Sequence, residues 1–246
     1  DPWGRRRLGD LYRSSRLFES AYREYQILGW LLQQDDSVFL LLANAAAGMG
    51  RSDEALRLCS RIAEAVGARS GDRGPSAWAR SLYAVLFARL RLATKDPGEL
   101  DRLGQRGRSD GLRGYAGKLL FATTWTHPDA GVQMFLTPPG TEAPASVGKK
   151  AKKEVEVNDG QRAGTQAGPI GLEAQRYDRV PAGTFNLTVR KTGVTSGPTE
   201  AELLVLANAG EANQTVLRIN ARFNAAPGVH YYTYNNGDLR EVAAPQ

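Results

Sequence analysis

The hydrophobic period of this chain changes near residue 118, and that change limits the folds the chain can adopt. Before residue 95, apolar residues recur at helical spacing, as at Trp78, Leu82 and Leu86. From Lys118 onward, apolar and polar residues alternate between turn signals, which is the pattern of half-buried strands. The sequence therefore predicts antiparallel helical hairpins followed by an antiparallel β-sandwich.

Within the helical part, a shift of 34 residues superposes Leu8-Gly9 on Leu42-Ala43 and Ala21 on Ala55. Small residues at such positions let the two helices of a hairpin approach closely. The period and these positions resemble the tetratricopeptide repeat, and the resemblance implies a helical array that binds another protein. Helices are predicted at about 4–16, 18–34, 37–49, 52–66 and 76–94.

Three regions follow from these patterns. Residues 1–95 are the predicted repeat domain, 96–117 a Gly/Arg-rich linker that loses periodicity, and 118–246 the predicted β-sandwich domain. Strands are predicted at 118–126, 131–137, 153–158, 170–179, 183–191, 200–208 and 215–223. A terminal hairpin is predicted to pair 231–234 with 239–242. The segment 138–169 is rich in Pro, Gly, Ala and Lys and is predicted to be a loop.

The second part contains Trp125, an alternating strand with Val132 and Met134, a Pro138-Pro139-Gly140 turn and a Val180-Pro181-Ala182-Gly183 turn. These motifs resemble a bacterial envelope domain known as domain of unknown function 2135. The resemblance covers about 118–223, and it implies a periplasmic or cell-envelope location without enzyme activity. The family's acidic cluster is reduced to Asp129, so any calcium binding by that cluster is expected to be lost. The chain begins at Asp1 without methionine, which indicates a trimmed form of a longer product.

No catalytic, cofactor or metal site is predicted. The two histidines, His127 and His230, are not accompanied by a nucleophile elbow, phosphate loop, dinucleotide or zinc signature. Cys59 lies where a helix is expected to face its partner, so a buried small residue is predicted rather than a reactive thiol. No run of eighteen apolar residues is present, and no transmembrane segment is predicted.

The first predicted helix is the candidate partner-binding element. An aromatic residue precedes its first packed turn, and arginines follow along its length. Arginine pairs bidentately with carboxylates, and the concave face of a helical array is where acidic peptides dock. The predicted partner-binding residues are Trp3, Arg5, Arg6, Arg7, Arg13 and Arg16.

These features together predict a non-catalytic protein–protein interaction scaffold in a bacterial cell-envelope assembly. Residues 1–108 carry 18 basic and 13 acidic side chains, so nucleic-acid binding by the helical half is one alternative. A carbohydrate-binding sandwich is another, with an aromatic stacking surface made of Trp125, Tyr231, Tyr232 and Tyr234. Protein binding is favoured because no nucleic-acid-reading module accompanies the basic residues.

Overall fold

The computed structural model describes residues 1–33, 35–70, 75–125, 127, 129–140, 160–163 and 171–244. Its fold class is the predicted one: antiparallel helical hairpins come first, and two antiparallel sheets follow. The helices are α1 (Pro2–Ser14), α2 (Phe18–Leu31), α3 (Asp36–Gly48), α4 (Ser52–Ser70), α5 (Pro75–Ala93), α6 (Pro97–Ser109) and α7 (Leu112–Ala116). The predicted strand 153–158 lies outside the described residues.

The helices begin where side chains can satisfy free backbone N–H groups. The carboxylate of Asp1 accepts from the backbone N–H groups of Trp3 and Gly4, at 3.0 and 3.2 Å, so α1 begins two residues before its predicted start. Asp35 accepts from the N–H of Ser37 at 2.9 Å and begins α3 in the same way. Replacing such a cap by alanine costs about 1 kcal/mol.

Close helix packing occurs at the small residues that define the 34-residue period. A Cβ atom on Gly9 would lie 2.4 Å from Cε1 of Tyr25, so only glycine allows α1 and α2 to approach this closely. Ala21, Ala43 and Ala55 have no exposed surface. The predicted role of these small residues in hairpin packing is confirmed.

The segment 96–117 is helical, and the prediction of an irregular linker there is wrong. Asp96 accepts from the N–H of Glu99 at 2.8 Å, and Pro97 occupies the first turn, where its missing N–H costs nothing. Gly107 is buried because α6 packs against α5: a Cβ there would lie 2.7 Å from the Phe87 ring. Gly107 therefore allows close helix packing rather than providing flexibility.

Nine strands in the described residues form two sheets. They are β1 (Leu119–Trp125), β2 (Gly131–Thr137), β3 (Gly160–Ala163), β4 (Leu172–Tyr177), β5 (Phe185–Thr192), β6 (Thr199–Ala207), β7 (Thr215–Phe223), β8 (Gly228–Asn235) and β9 (Asp238–Val242). One sheet has the order β3-β4-β1-β6-β7, and the other has the order β2-β5-β8-β9. The predicted terminal hairpin is confirmed, with Tyr234 paired to Leu239 across the turn.

The molecule has three layers, because the five-stranded sheet is covered on both faces. On β1, Leu119 and Phe121 belong to the core between the two sheets, whereas Leu120 and Ala122 belong to the core shared with the helices. The helical core also includes Leu204 and Leu206 of β6. Each large apolar side chain buried in this way contributes about 1.5–3 kcal/mol.

Candidate functional site

Four of the predicted partner-binding residues lie toward the start of α1. Trp3 is 83% exposed, as expected of a residue ahead of the packed turns. Arg5 pairs with Glu24 of α2 at 2.8 Å, and Arg6 pairs with Asp10 at 2.7 Å. These two arginines are therefore engaged in ion pairs within the first hairpin.

The other three predicted arginines lie in different surroundings. Arg7 is exposed on α1, while Arg13 is 8% exposed with its Nε 3.9 Å from an oxygen of Asp10. Arg16, just beyond α1, pairs with Glu200 of β6 at 2.7 Å. Arg13 and Arg16 line one cleft, and the structure does not bring the other four predicted residues to it.

This cleft, called here the interlayer cleft, has a volume of about 790 Å³ and lies between the helical layer and one end of the five-stranded sheet. Its helical wall is largely apolar and is formed by parts of α2, α3, α4 and α5, with Leu82, Leu86, Leu90 and Ala93 contributed by α5. Its charged and polar lining includes Arg13, Arg16, Arg89, Glu200, Glu202, Arg218, Asn220 and Arg222. The helical side thus combines apolar side chains with Arg13, Arg16 and Arg89, and the sheet side carries the remaining charged residues.

The charged wall arises from a change of residue type along two neighbouring strands. On the helix-facing side of β6, Leu204 and Leu206 are buried under the helices, whereas Glu200 and Glu202 line the cleft. On β7, Val216 packs against the helical core. Further along β7, Arg218, Asn220 and Arg222 line the cleft at every second residue. Because alternate strand residues share a face, this spacing places all three on the cleft side.

Positive charge exceeds negative charge in the interlayer cleft. Its described lining has five arginines and two glutamates, and both glutamates are already paired. Arg89 lies 3.0 Å from Glu202 and also donates to Oγ1 of Thr124 at 2.7 Å. Arg218 and Arg222 are exposed and form no ion pair with any residue that the structure describes. The sheet side can therefore receive an anionic ligand without losing an internal salt bridge.

Sequence reasoning did not find the residues on the sheet side of this cleft. The available signal was polar residues at alternate positions in otherwise apolar strands: Glu200 and Glu202 in one, Arg218 and Arg222 in the other. That signal alone fits any solvent-facing strand side. Only the packing of the helices over this side of the sheet makes these polar residues part of a cleft.

The two histidines form polar contacts that do not match a general base beside a nucleophile. His127 Nε2 lies 3.2 Å from Oγ of Ser196, while its Nδ1 accepts from the backbone N–H of Asp129. That acceptor role leaves the proton of a neutral ring on Nε2, so the ring donates to Ser196 and cannot take its proton. His230 lies 2.6 Å from Glu241 and 3.3 Å from the carbonyl oxygen of Arg222, and neither contact is with a serine or cysteine.

The predicted aromatic stacking surface on the sandwich is not formed. Trp125, Tyr232 and Tyr234 are 5%, 1% and 6% exposed, and they pack in the core between the two sheets. Tyr231 is half-buried on the other side of β8. Strand alternation separates these residues, so they do not offer a joint surface to a sugar ring.

Other kinds of site are not found in the part of the chain that the structure describes. No three His, Cys, Asp or Glu side chains come together there in an arrangement that could hold a metal ion. No helix among the described residues is long and apolar enough to cross a membrane.

Comparisons with known proteins found no relative of this chain. No protein-family model matches the chain, and no similar protein was found among curated proteins or solved structures. The resemblances to the tetratricopeptide repeat and to domain 2135 therefore stay predictions from the sequence.

Proposed function

We propose that this protein is a non-catalytic interaction scaffold that holds an acidic segment of a partner protein in the interlayer cleft. The supporting observation is the excess of arginine there, above all Arg218 and Arg222, which form no ion pair with a described residue and lie across the cleft from the apolar residues of α5. A segment with both carboxylates and apolar side chains would satisfy both walls. Arginine suits this role because its planar guanidinium group binds carboxylates bidentately.

The proposed setting is a bacterial cell-envelope assembly in the periplasm. Its support is the sequence resemblance of residues 118–223 to an envelope domain. The three-layer architecture fits a scaffold, because ion pairs such as Arg89 with Glu202 fix the helical hairpins to the sandwich and hold the cleft walls in place.

Nucleic-acid binding is a weaker alternative for the same cleft. Its arginines could bind phosphates, but the apolar residues Leu82, Leu86 and Leu90 on the helical wall have no counterpart on a phosphate backbone. Stacking of bases on exposed aromatic residues is usual in single-strand binding. Of the two aromatic residues in the described lining, Trp125 belongs to the sandwich core and is 5% exposed, and Phe18 is half-buried with its ring against Gly48.

Affinity capture from a native bacterial envelope extract tests the proposal. Three immobilised forms are compared: the wild type, the cleft variant Arg218→Glu/Arg222→Glu, and the control variant Arg179→Glu/Arg190→Glu. The control makes the same charge change at a turn and on the other sheet, away from the cleft.

We expect one defined protein to be retained by the wild type and the control and lost from the cleft variant. Equal retention by all three forms would place the binding surface elsewhere. Retention of nucleic acid alone, with steep loss as salt rises, would favour the alternative.

A further inference from the structure

The edge of the five-stranded sheet carries an inference about how the partner binds. β7 ends the sheet order, so one side of its backbone has no neighbouring strand. It spans nine residues, whereas the other edge strands β2, β3 and β9 span seven, four and five. β7 is thus the longest free edge in the described part of the molecule.

The backbone of β7 is also little covered. Beyond its pairing with β6, the backbone of β7 has one hydrogen-bond contact with a described residue, at the end of the strand, where His230 Nε2 lies 3.3 Å from the carbonyl oxygen of Arg222. The edge strand β2 differs, because a carboxylate oxygen of Glu173 accepts from the N–H of Met134 at 2.6 Å. Unpaired N–H and C=O groups on an edge are a template for another strand.

A strand added beside β7 would contact a different surface on each face of the sheet. On the cleft side lie the exposed Arg218, Asn220 and Arg222. On the other side, Leu217 and Ile219 are half-buried at the rim of the core between the sheets. A strand beside β7 would place successive side chains alternately against these two surfaces.

We infer that the partner adds an extended segment to the free edge of β7, with acidic side chains facing Arg218 and Arg222 and apolar side chains covering Leu217 and Ile219. The inference rests on the proposed function and specifies its partner segment. Main-chain hydrogen bonds would provide affinity, and the alternating side chains would provide selectivity.

A second copy of this chain fits the edge less well than an acidic partner. Antiparallel pairing of two β7 strands about Asn220 would place Arg218 of each copy opposite Arg222 of the other. Like charges directly opposite on neighbouring strands are destabilising. The arginines therefore oppose self-association while favouring a segment with glutamate or aspartate at every second residue.

The test uses a fluorescein-labelled peptide of nine residues that alternates Glu and Val, with Glu at both ends. Fluorescence anisotropy measures its binding to the full chain at low salt. Two modified peptides carry N-methyl groups on all valines or on all inner glutamates. An added strand directs the N–H groups of alternate residues to its neighbour, so only one set of N-methyl groups blocks the ladder.

We expect the Glu/Val peptide to bind, one N-methylated peptide to bind at least tenfold more weakly, and the other to bind like the parent. The Arg218→Glu/Arg222→Glu variant should bind at least tenfold more weakly, and a Lys/Val peptide should recover binding to that variant. The Arg179→Glu/Arg190→Glu variant should match the wild type.

Equal binding of the two N-methylated peptides would overturn strand addition, while an acidic segment in the cleft would still stand. Absence of binding by the Glu/Val peptide would overturn strand addition as well. In that case the capture experiment decides the proposed function separately. Since the N-methyl comparison uses the wild-type protein, its result does not depend on whether a variant folds.

Discussion

Lys191 of β5 offers the sharpest test of how the sandwich is held together. Its side chain is fully buried, and its ammonium group donates to the carbonyl oxygens of Ala225 at 2.7 Å, Asn224 at 3.1 Å and Ala226 at 3.2 Å. These carbonyl groups form the turn between β7 and β8, which belong to different sheets. One charged group therefore fixes the connection between the two sheets.

We expect Lys191→Met to lower the free energy of unfolding by about 3 kcal/mol. A hydrogen bond to a charged group contributes about 1.5–3 kcal/mol. Methionine keeps most of the apolar stem, so the loss is mainly that of the donors. Asn224 and Ala226 are exposed, so water can replace part of the lost hydrogen bonds to their carbonyl groups. The expected loss is therefore that of one hydrogen bond to a charged group and not the sum of three.

Urea unfolding followed by circular dichroism measures this effect, with Lys118→Met as the control because Lys118 is exposed. For a chain of this size, about 3 kcal/mol corresponds to a fall in Tm of about 6–12 °C. A change of less than about 1 kcal/mol for Lys191→Met, or an equal change for the control, would refute the assignment of this role to the ammonium group.

Three further predictions concern the helical layer. Gly107→Val should destabilise the protein by about 1–3 kcal/mol, because the valine side chain would collide with Phe87. The control Gly114→Ala has open space around the added methyl group and should change stability by less than about 1 kcal/mol. Calorimetry measures both. Burial, together with a 2.5 Å hydrogen bond to Glu54, raises the pKa of Tyr22 to about 12. The contribution of Tyr22 to stability is therefore complete below pH 10 and is lost as the pH rises to about 12, which urea midpoints at pH 9, 10 and 11 would detect. Cys59 is fully buried and burial raises the pKa of its thiol, so Ellman's reagent should label it only after unfolding.

Each of these predictions has a contrary result. Wild-type stability of Gly107→Val would mean that α6 does not pack on α5 as described. Burial also raises the pKa of Tyr25, Tyr83 and Tyr232, so Tyr22 is one of several sources of alkaline sensitivity. A urea midpoint that is constant to pH 11, or one that falls as steeply in Tyr22→Phe as in the wild type, would exclude a contribution from Tyr22. Rapid labelling of Cys59 in the folded protein would show that α4 opens readily.

The sequence predicted the elements well where local signals agree with each other. Strands 131–137 and 215–223 match the observed bounds, because turn residues frame a clear alternation. α6 was missed because its glycines indicate flexibility by composition, although the Asp96-Pro97 start is a helix signal. A large aromatic residue such as Trp30 fits a core position by its type, yet it is 83% exposed near the end of α2.

The cleft could not be predicted, because it depends on contacts between distant parts of the chain. Arg16 and Glu200 are 184 residues apart, and only the packing of helices on the sheet brings them together. Local patterns identified Arg5 and Arg6 as candidate binding residues, but their partners Glu24 and Asp10 were not apparent from composition. A charge run in a sequence shows which charges are present and not which remain available.

The doubly covered sheet has a consequence for biosynthesis. α5 packs on β4, β6 and β7, and β6 begins roughly 110 residues after α5 ends. At about 5–20 residues per second, the ribosome needs about 5–20 s to supply that strand. During this interval the side of α5 that packs on β6 and β7 lacks both strands. Newly made helices of this protein therefore expose this side of α5 until β6 and β7 have been synthesised.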